Sequence, residues 1–208
     1  MKILFVPAKY KIELDKKVLE SISLNLPKNI AIAYSIQFEK LASDLKKELS
    51  KEHKITSIFQ TLGCKNISLP KSTDAVLLVG SGKFHAISLV LESKLPVYLF
   101  NGSNLEQISD LEINSVAKTK RAAYLNYLNA DSVGILVSTK PGQNKFKQAI
   151  DFSKKLKDKK SYLFIANNIN TNEFQNFGLK SWVNTACPRM DFDNPYLINI
   201  SDLNNLKN

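Results

Sequence analysis

Cys64 and Cys187 are the residues best suited by type to bind a soft metal or to act as nucleophiles. They stand 123 residues apart, and no CxxC pair exists, so neither a zinc-ribbon nor a thioredoxin-type spacing is present. On composition alone, two such cysteines in a reducing compartment read as small buried hydrophobes rather than as a disulfide. The surroundings of Cys187 add chemistry. In Cys187-Pro188-Arg189 the proline fixes the backbone after the thiol, and the guanidinium can hold a carboxylate in a bidentate contact while favouring thiolate. A second group of candidates is Gly80-Ser81-Gly82-Lys83-Phe84-His85. Gly-Ser-Gly before a helix can present backbone N–H groups to an anion, or can merely make a tight strand-to-helix turn; it is too short for a Walker A or Rossmann fingerprint. His85 gains weight from its place at a strand end, but no acid or nucleophile partners it at the spacing of a hydrolase triad. His53, in a Lys/Glu-rich loop, reads as solvated.

The elements that must position these residues alternate between short β-rich runs and longer amphipathic runs, the pattern of α/β domains with parallel sheets. Strands are expected at Met1–Val6, Ile30–Ala33, Ile55–Phe59, Ala75–Val79, Pro96–Phe100, Val133–Val137, Tyr162–Ala166 and Trp182–Thr185. Ala75–Val79 is apolar throughout, as suits the middle of a parallel sheet. Helices are expected over Phe38–Ser50, with Leu41, Leu45 and Leu49 on one stripe, and over Phe146–Leu156, with Phe146, Ala149, Ile150 and Ser153 on one side. IAIAYSIQFEKLASDLKKELSK resembles GILVSTKPGQNKFKQAIDFSKKLKDK, with Gln37 and Gln143 in like places at the strand-to-helix turn. The pattern implies two related α/β domains, each a small parallel sheet flanked by helices, over residues 1–108 and 109–208. The cysteines do not occupy equivalent places in the repeat. Sites in such sheets lie at the carboxyl ends of strands. Four loops therefore matter: Ser35–Gln37, Gly80–His85, Thr139–Gln143 and Ala186–Arg189.

The chain has 208 residues, 44% hydrophobic and 23% charged, enough for one large or two small globular domains. It has no apolar stretch of membrane-spanning length and no secretory leader pattern at its start, so a cytoplasmic protein is expected. The net charge of +10 is mostly Lys, spread over helix surfaces such as Lys154, Lys155, Lys157, Lys159 and Lys160; arginine occurs only at 121 and 189. Direct nucleic-acid binding is therefore not expected, and a basic face toward an acidic or ribosome-associated protein is an alternative.

The same loops resemble the diphthamide synthase, or 2-(3-amino-3-carboxypropyl)histidine synthase, family. The matching segments are YSIQF at 34–38, LGC at 62–64, DAVLLVGSGKFHAI at 74–87, STKPGQ at 138–143 and WVNTACPRMDFDNPYL at 182–197. The resemblance covers essentially the whole chain and implies its fold. It also implies a radical enzyme: a 4Fe-4S cluster on three cysteines, S-adenosylmethionine as cofactor, and transfer of a 3-amino-3-carboxypropyl group to a histidine of translation elongation factor 2. Cys64 and Cys187 match the family's second and third cluster ligands. Gln143 and Arg189 match polar positions suited to the amino-carboxypropyl end of the cofactor; Gln37, Gly80, Gly82 and His85 match further motif positions. No residue is singled out as catalytic. The family's first domain and first cysteine find no counterpart here. The resemblance thus implies a homo- or hetero-oligomer, with a separate chain as a source of that domain. The alternatives are a non-catalytic partner of a related synthase, or a flavodoxin-like module for another small anion.

Overall fold

A computed structural model describes residues 4, 6, 8–62 and 67–205. The strand expected at Met1–Val6 falls mostly outside these residues, and Cys64 lies outside them altogether. The chain divides into two compact units, Met1–Ile113 and Asn114–Asn208.

In the first unit, helix α1 (Lys16–Asn25) leads into β1 (Asn29–Tyr34), a 3-10 turn at Ile36–Phe38, α2 (Glu39–Leu49) and β2 (Lys54–Gln60). There follow β3 (Ala75–Val79), α3 (Lys83–Ser93), β4 (Val97–Phe100) and the short β5 (Leu105–Gln107). The strands lie in the order β2-β1-β3-β4-β5, parallel except for the β5 edge. Helix α2 forms because Leu41, Leu45 and Leu49 recur every four residues; with Ala42 they are all buried. Glu39 in its first turn and Lys46 and Lys47 in its last complement the helix dipole. That stripe packs with Ile30, Ile32, Leu77, Val79 and Phe100 into one core. All five residues of β3 are buried, as a strand in the sheet interior requires.

Helix α4 (Asp110–Asn129) carries the unit boundary. It starts in a reciprocal cap: the Ser109 N–H donates to Glu112 Oε2 at 3.1 Å, and the Glu112 N–H to Ser109 Oγ at 3.4 Å. The second unit continues with β6 (Ser132–Ser138), α5 (Phe146–Lys155), β7 (Lys160–Ala166), β8 (Trp182–Asn184), β9 (Leu197–Asn199) and α6 (Ile200–Asn205). Its strands are all parallel, in the order β7-β6-β8-β9. Numbered within each unit, both sheets run second-first-third-fourth, which is the repeat seen in the sequence expressed as topology.

Two readings of side chains are corrected. Helix α5 buries Ala149 and Phe152, with Leu156 packed against the same core, while Phe146 is exposed. The inward face thus follows the steps 149, 152 and 156 rather than starting at Phe146. The lysine run is not all helix surface either. Lys159 precedes β7, its side chain is 10% exposed, and its ammonium donates to the carbonyls of Leu128 and Ala130, each at 2.9 Å. It satisfies groups left open where α4 ends.

Trp182 organises the other face of the second sheet. It is 1% exposed and stacks on Phe174 with ring centroids 4.1 Å apart, while Phe164 meets it edge-on at 4.7 Å. Gly134, its register partner on β6, leaves room for the indole: a β-carbon there would collide with the six-membered ring. Gly134→Ala is therefore expected to destabilise the protein by about 1–3 kcal/mol, the usual range for overpacking, as measured by urea unfolding.

Candidate functional site

Each sheet reverses its strand order between its first and third strands, and ligands of open α/β sheets bind outside the carboxyl ends at that point. In the first unit this brings together the loops after β1 and β3. Gln37 is exposed in the turn after β1, and its carbonyl accepts from the Tyr10 N–H at 2.9 Å. Gly80 continues from β3, its N–H donating to the Phe100 carbonyl at 2.9 Å. A β-carbon on Gly80 would lie 3.3 Å from Ser35 Oγ, so the two loops touch. Gly82 has φ +83° immediately before α3, a conformation that favours glycine.

Lys83, which could have served an anion at this helix start, is turned away. Its ammonium bonds Glu106 at 2.5 Å and Glu112 at 2.6 Å. The Lys83 and Ser109 hydrogen bonds hold the Glu112 carboxyl down at about 2. His85 is half-buried in the first turn of α3, its ring 5.0 Å from that of Phe84. His53, read as solvated, is instead engaged: Nε2 lies 2.8 Å from Ser23 Oγ and Nδ1 lies 2.9 Å from the Pro27 carbonyl.

In the second unit the loops after β6 and β8 meet the corresponding point. Thr185 ties the loop after β8 to strand β6, donating from N at 3.2 Å and from Oγ1 at 2.7 Å to the Leu136 carbonyl. After β6, Lys140–Gln143 closes a turn in which the Gln143 N–H donates to the Lys140 carbonyl at 3.0 Å and Gly142 has φ +78°. After β8, Cys187 is half-buried and free of disulfide, and it caps a 3-10 turn over Pro188–Asp191. Arg189 within that turn is exposed. Gln143, Cys187 and Arg189 are thus brought to neighbouring strand ends of one sheet, and Gln37, Gly80, Gly82 and His85 to those of the other.

Beneath the Cys187 turn lies a buried polar cluster whose roles the sequence did not reveal. Asn184 Nδ2 donates to the Cys187 carbonyl at 2.8 Å and to Asn199 Oδ1 at 2.6 Å. Asn199 Nδ2 donates to the Pro188 carbonyl at 3.0 Å and to Asp191 Oδ2 at 2.6 Å. The ammonium of Lys120, on α4, bonds Asp191 Oδ2 at 2.7 Å and Asp202 at 2.8 Å. Burial pushes the Asp191 carboxyl up to about 6, although Lys120 pulls it down. Burial also works against the Lys120 charge, yet its two carboxylate partners outweigh this and hold its pKa above the ordinary lysine value. The one trace in the sequence is an asparagine ending each of two apolar strands, Trp182–Asn184 and Leu197–Asn199.

Among the described residues no three His, Cys, Asp or Glu side chains converge as a metal site, and Cys187 is a free cysteine. No helix among these residues is long and apolar enough to cross a membrane.

Two sheets of like strand order, with strand-end loops carrying a thiol, glycines and single polar side chains, define the class as a two-unit α/β protein. The chain belongs to the family described as putative diphthamide synthesis protein, whose model matches residues 1–197. It is 28% identical to the 2-(3-amino-3-carboxypropyl)histidine synthase of Methanocaldococcus jannaschii over 93% of this chain and 57% of that protein. It is 24% identical to subunit 1 of that synthase from Gallus gallus, over 93% of this chain and 50% of the relative. The chain therefore spans about half the length of these relatives. The crystal structure of Dph2 from Pyrococcus horikoshii shares its fold with TM-score 0.79 and 23% identity, over 97% of this chain and 64% of that one. A second structure of that protein, with a 4Fe-4S cluster, aligns with TM-score 0.73 and 23% identity over 91% of this chain and 60% of that one.

The raised Asp191 carboxyl has a consequence for stability. The folded state holds its proton from the ordinary value of 3.8 up to about 6, so its contribution is full below about 4 and is lost as pH rises through about 6. Asp191→Asn is expected to remove a fall in unfolding free energy of up to about 3 kcal/mol across that window, as measured by denaturant titration at stepped pH.

Proposed function

We propose that this chain is a component of a diphthamide synthase, transferring a 3-amino-3-carboxypropyl group from S-adenosylmethionine to a histidine of translation elongation factor 2 by cluster-dependent radical chemistry. The observation that carries the reading is the Cys187 thiol, half-buried and free at a strand end of a family member, with the Cys187 and Pro188 carbonyls already hydrogen-bonded. The donor set fits the group: thiolates are the usual ligands of iron–sulfur clusters. Cys187 would hold one iron. Cys64 joins it on its motif alone. These 208 residues hold two cysteines, so a third protein thiolate would be supplied from outside them, by further polypeptide or by a partner chain in a homo- or hetero-oligomer. When bound, the cluster supplies the reducing electron and an iron open to substrate.

The remaining work falls to this chain's own side chains. Arg189, exposed two residues after Cys187, suits the carboxylate of the methionine moiety in a bidentate contact. Gln143, from the neighbouring strand-end loop, suits a hydrogen bond to the same end of the molecule. In the first unit, Gln37, Gly80, Gly82 and His85 present side-chain and backbone polar groups for the rest of the cofactor. The reaction fits a cytoplasmic setting, where its protein substrate is found.

Anaerobic reconstitution with iron, sulfide and a chain supplying the first-domain cysteine tests this. A 4Fe-4S signal in electron paramagnetic resonance and cleavage of S-adenosylmethionine are expected, and Cys187→Ser or Cys64→Ser should abolish both. Modification of elongation factor 2 that survives the double serine variant would instead identify a non-catalytic partner.

A further inference from the structure

We infer that Asn184 and Asn199 are positioning residues for Cys187, fixing the direction in which its thiol leaves the sheet. The inference rests on Cys187 being a cluster ligand. Asn184 and Asn199 are register partners at the ends of β8 and β9 and are 2% and 5% exposed. Each spends both amide protons. Asn184 holds the Cys187 carbonyl, Asn199 holds the Pro188 carbonyl, and a 2.6 Å bond joins the two amides. Asn184 Oδ1 also accepts from the Ala186 N–H at 2.9 Å.

Each of these bonds fixes a peptide plane, because the peptide unit is rigid. The planes between Thr185 and Ala186, between Cys187 and Pro188, and between Pro188 and Arg189 are all tied to the same pair of side chains. The proline ring fixes one further torsion. Cys187, at φ −76° and ψ 122°, is left with little freedom other than rotation of its own side chain.

The strand positions do not demand polarity for packing. Trp182, Val183, Leu197 and Ile198 beside them are all buried and apolar. Burying two carboxamides carries a desolvation penalty that leucine would avoid, unless their hydrogen bonds serve a purpose. The far end of the chain of bonds is anchored as well. Asn199 donates to Asp191, which Lys120 holds from α4, so the turn is clamped at both of its ends.

The test uses the full-length chain with Cys64→Ser, so that Cys187 is the one thiol. Two readouts are the rate of Cys187 alkylation by iodoacetamide and the fluorine resonance of Cys187 carrying a trifluoroacetonyl label. Asn199→Leu keeps the branched shape at Cγ and removes the donors. It is expected to change the alkylation rate by about fivefold, the worth of one net hydrogen bond, and to broaden or split the resonance. Phe152→Ala, in the α5 core of the same unit, serves as a destabilised control and should leave both readouts in place. Asn199→Ser, too short to span to the Pro188 carbonyl, is the second variant should the leucine chain fail to fold. Equal readouts in the parent and the folded Asn199 variants would overturn the inference, as would matching changes in Phe152→Ala. Cluster loading of the parent with its thiolate-donating partner separates this from the functional reading. A parent that never loads iron, with Asn199→Leu still disturbing Cys187, removes the ligand role and leaves the positioning role standing.

Discussion

The second unit depends on a single shared oxygen. Asp191 Oδ2 accepts from Asn199 at 2.6 Å and from Lys120 at 2.7 Å, in a side chain that is 2% exposed. A carboxylate so placed is tolerable only while both donors stay. Lys120 comes from α4 and Asn199 from the last strand, so the bond network ties the long helix, the sheet end and the Cys187 turn together. Removing either donor leaves a buried charge behind rather than an empty contact.

Strand β8 works on this constraint with only three residues. Its first, Trp182, fills an aromatic cluster, with Gly134 cut back to admit the indole. Its last, Asn184, turns into the polar network under the cysteine turn. The residue between them, Val183, belongs to a separate apolar core with Ile135 and Ile198. Alternation across the strand thus serves two packing problems, and the loop that follows inherits a fixed starting point.

What was legible in the sequence and what was not divide along physical lines. Ala75–Val79 could be read residue by residue, because a strand buried on both faces leaves an uninterrupted apolar run. The leucines of α2 were equally plain, since helical spacing is a local property. The loops carrying Gly82, Gln143 and Cys187 followed from where those strands end. Asn199 and Lys120 were not legible as parts of the site. Lys120 lies 71 residues before Asp191, and nothing local distinguishes it from the solvated lysines around it. His53 was misread for the same reason: its partner Ser23 lies 30 residues away, on α1. The face of α5 was misjudged because Phe146 looks apolar in the pattern but sits before the helix meets the core.

The two units share one strand order, and within it Gly82 and Cys187 stand at matching addresses, each the third residue after its unit's third strand. One copy of the address holds a residue with no side chain and a backbone turned into the left-handed region; the other holds a sulfur. A repeated scaffold therefore lets the same corner be finished in opposite ways, one as bare main chain and the other with a thiol. Because each corner is held up by its own sheet, refitting one leaves the other's foundations untouched.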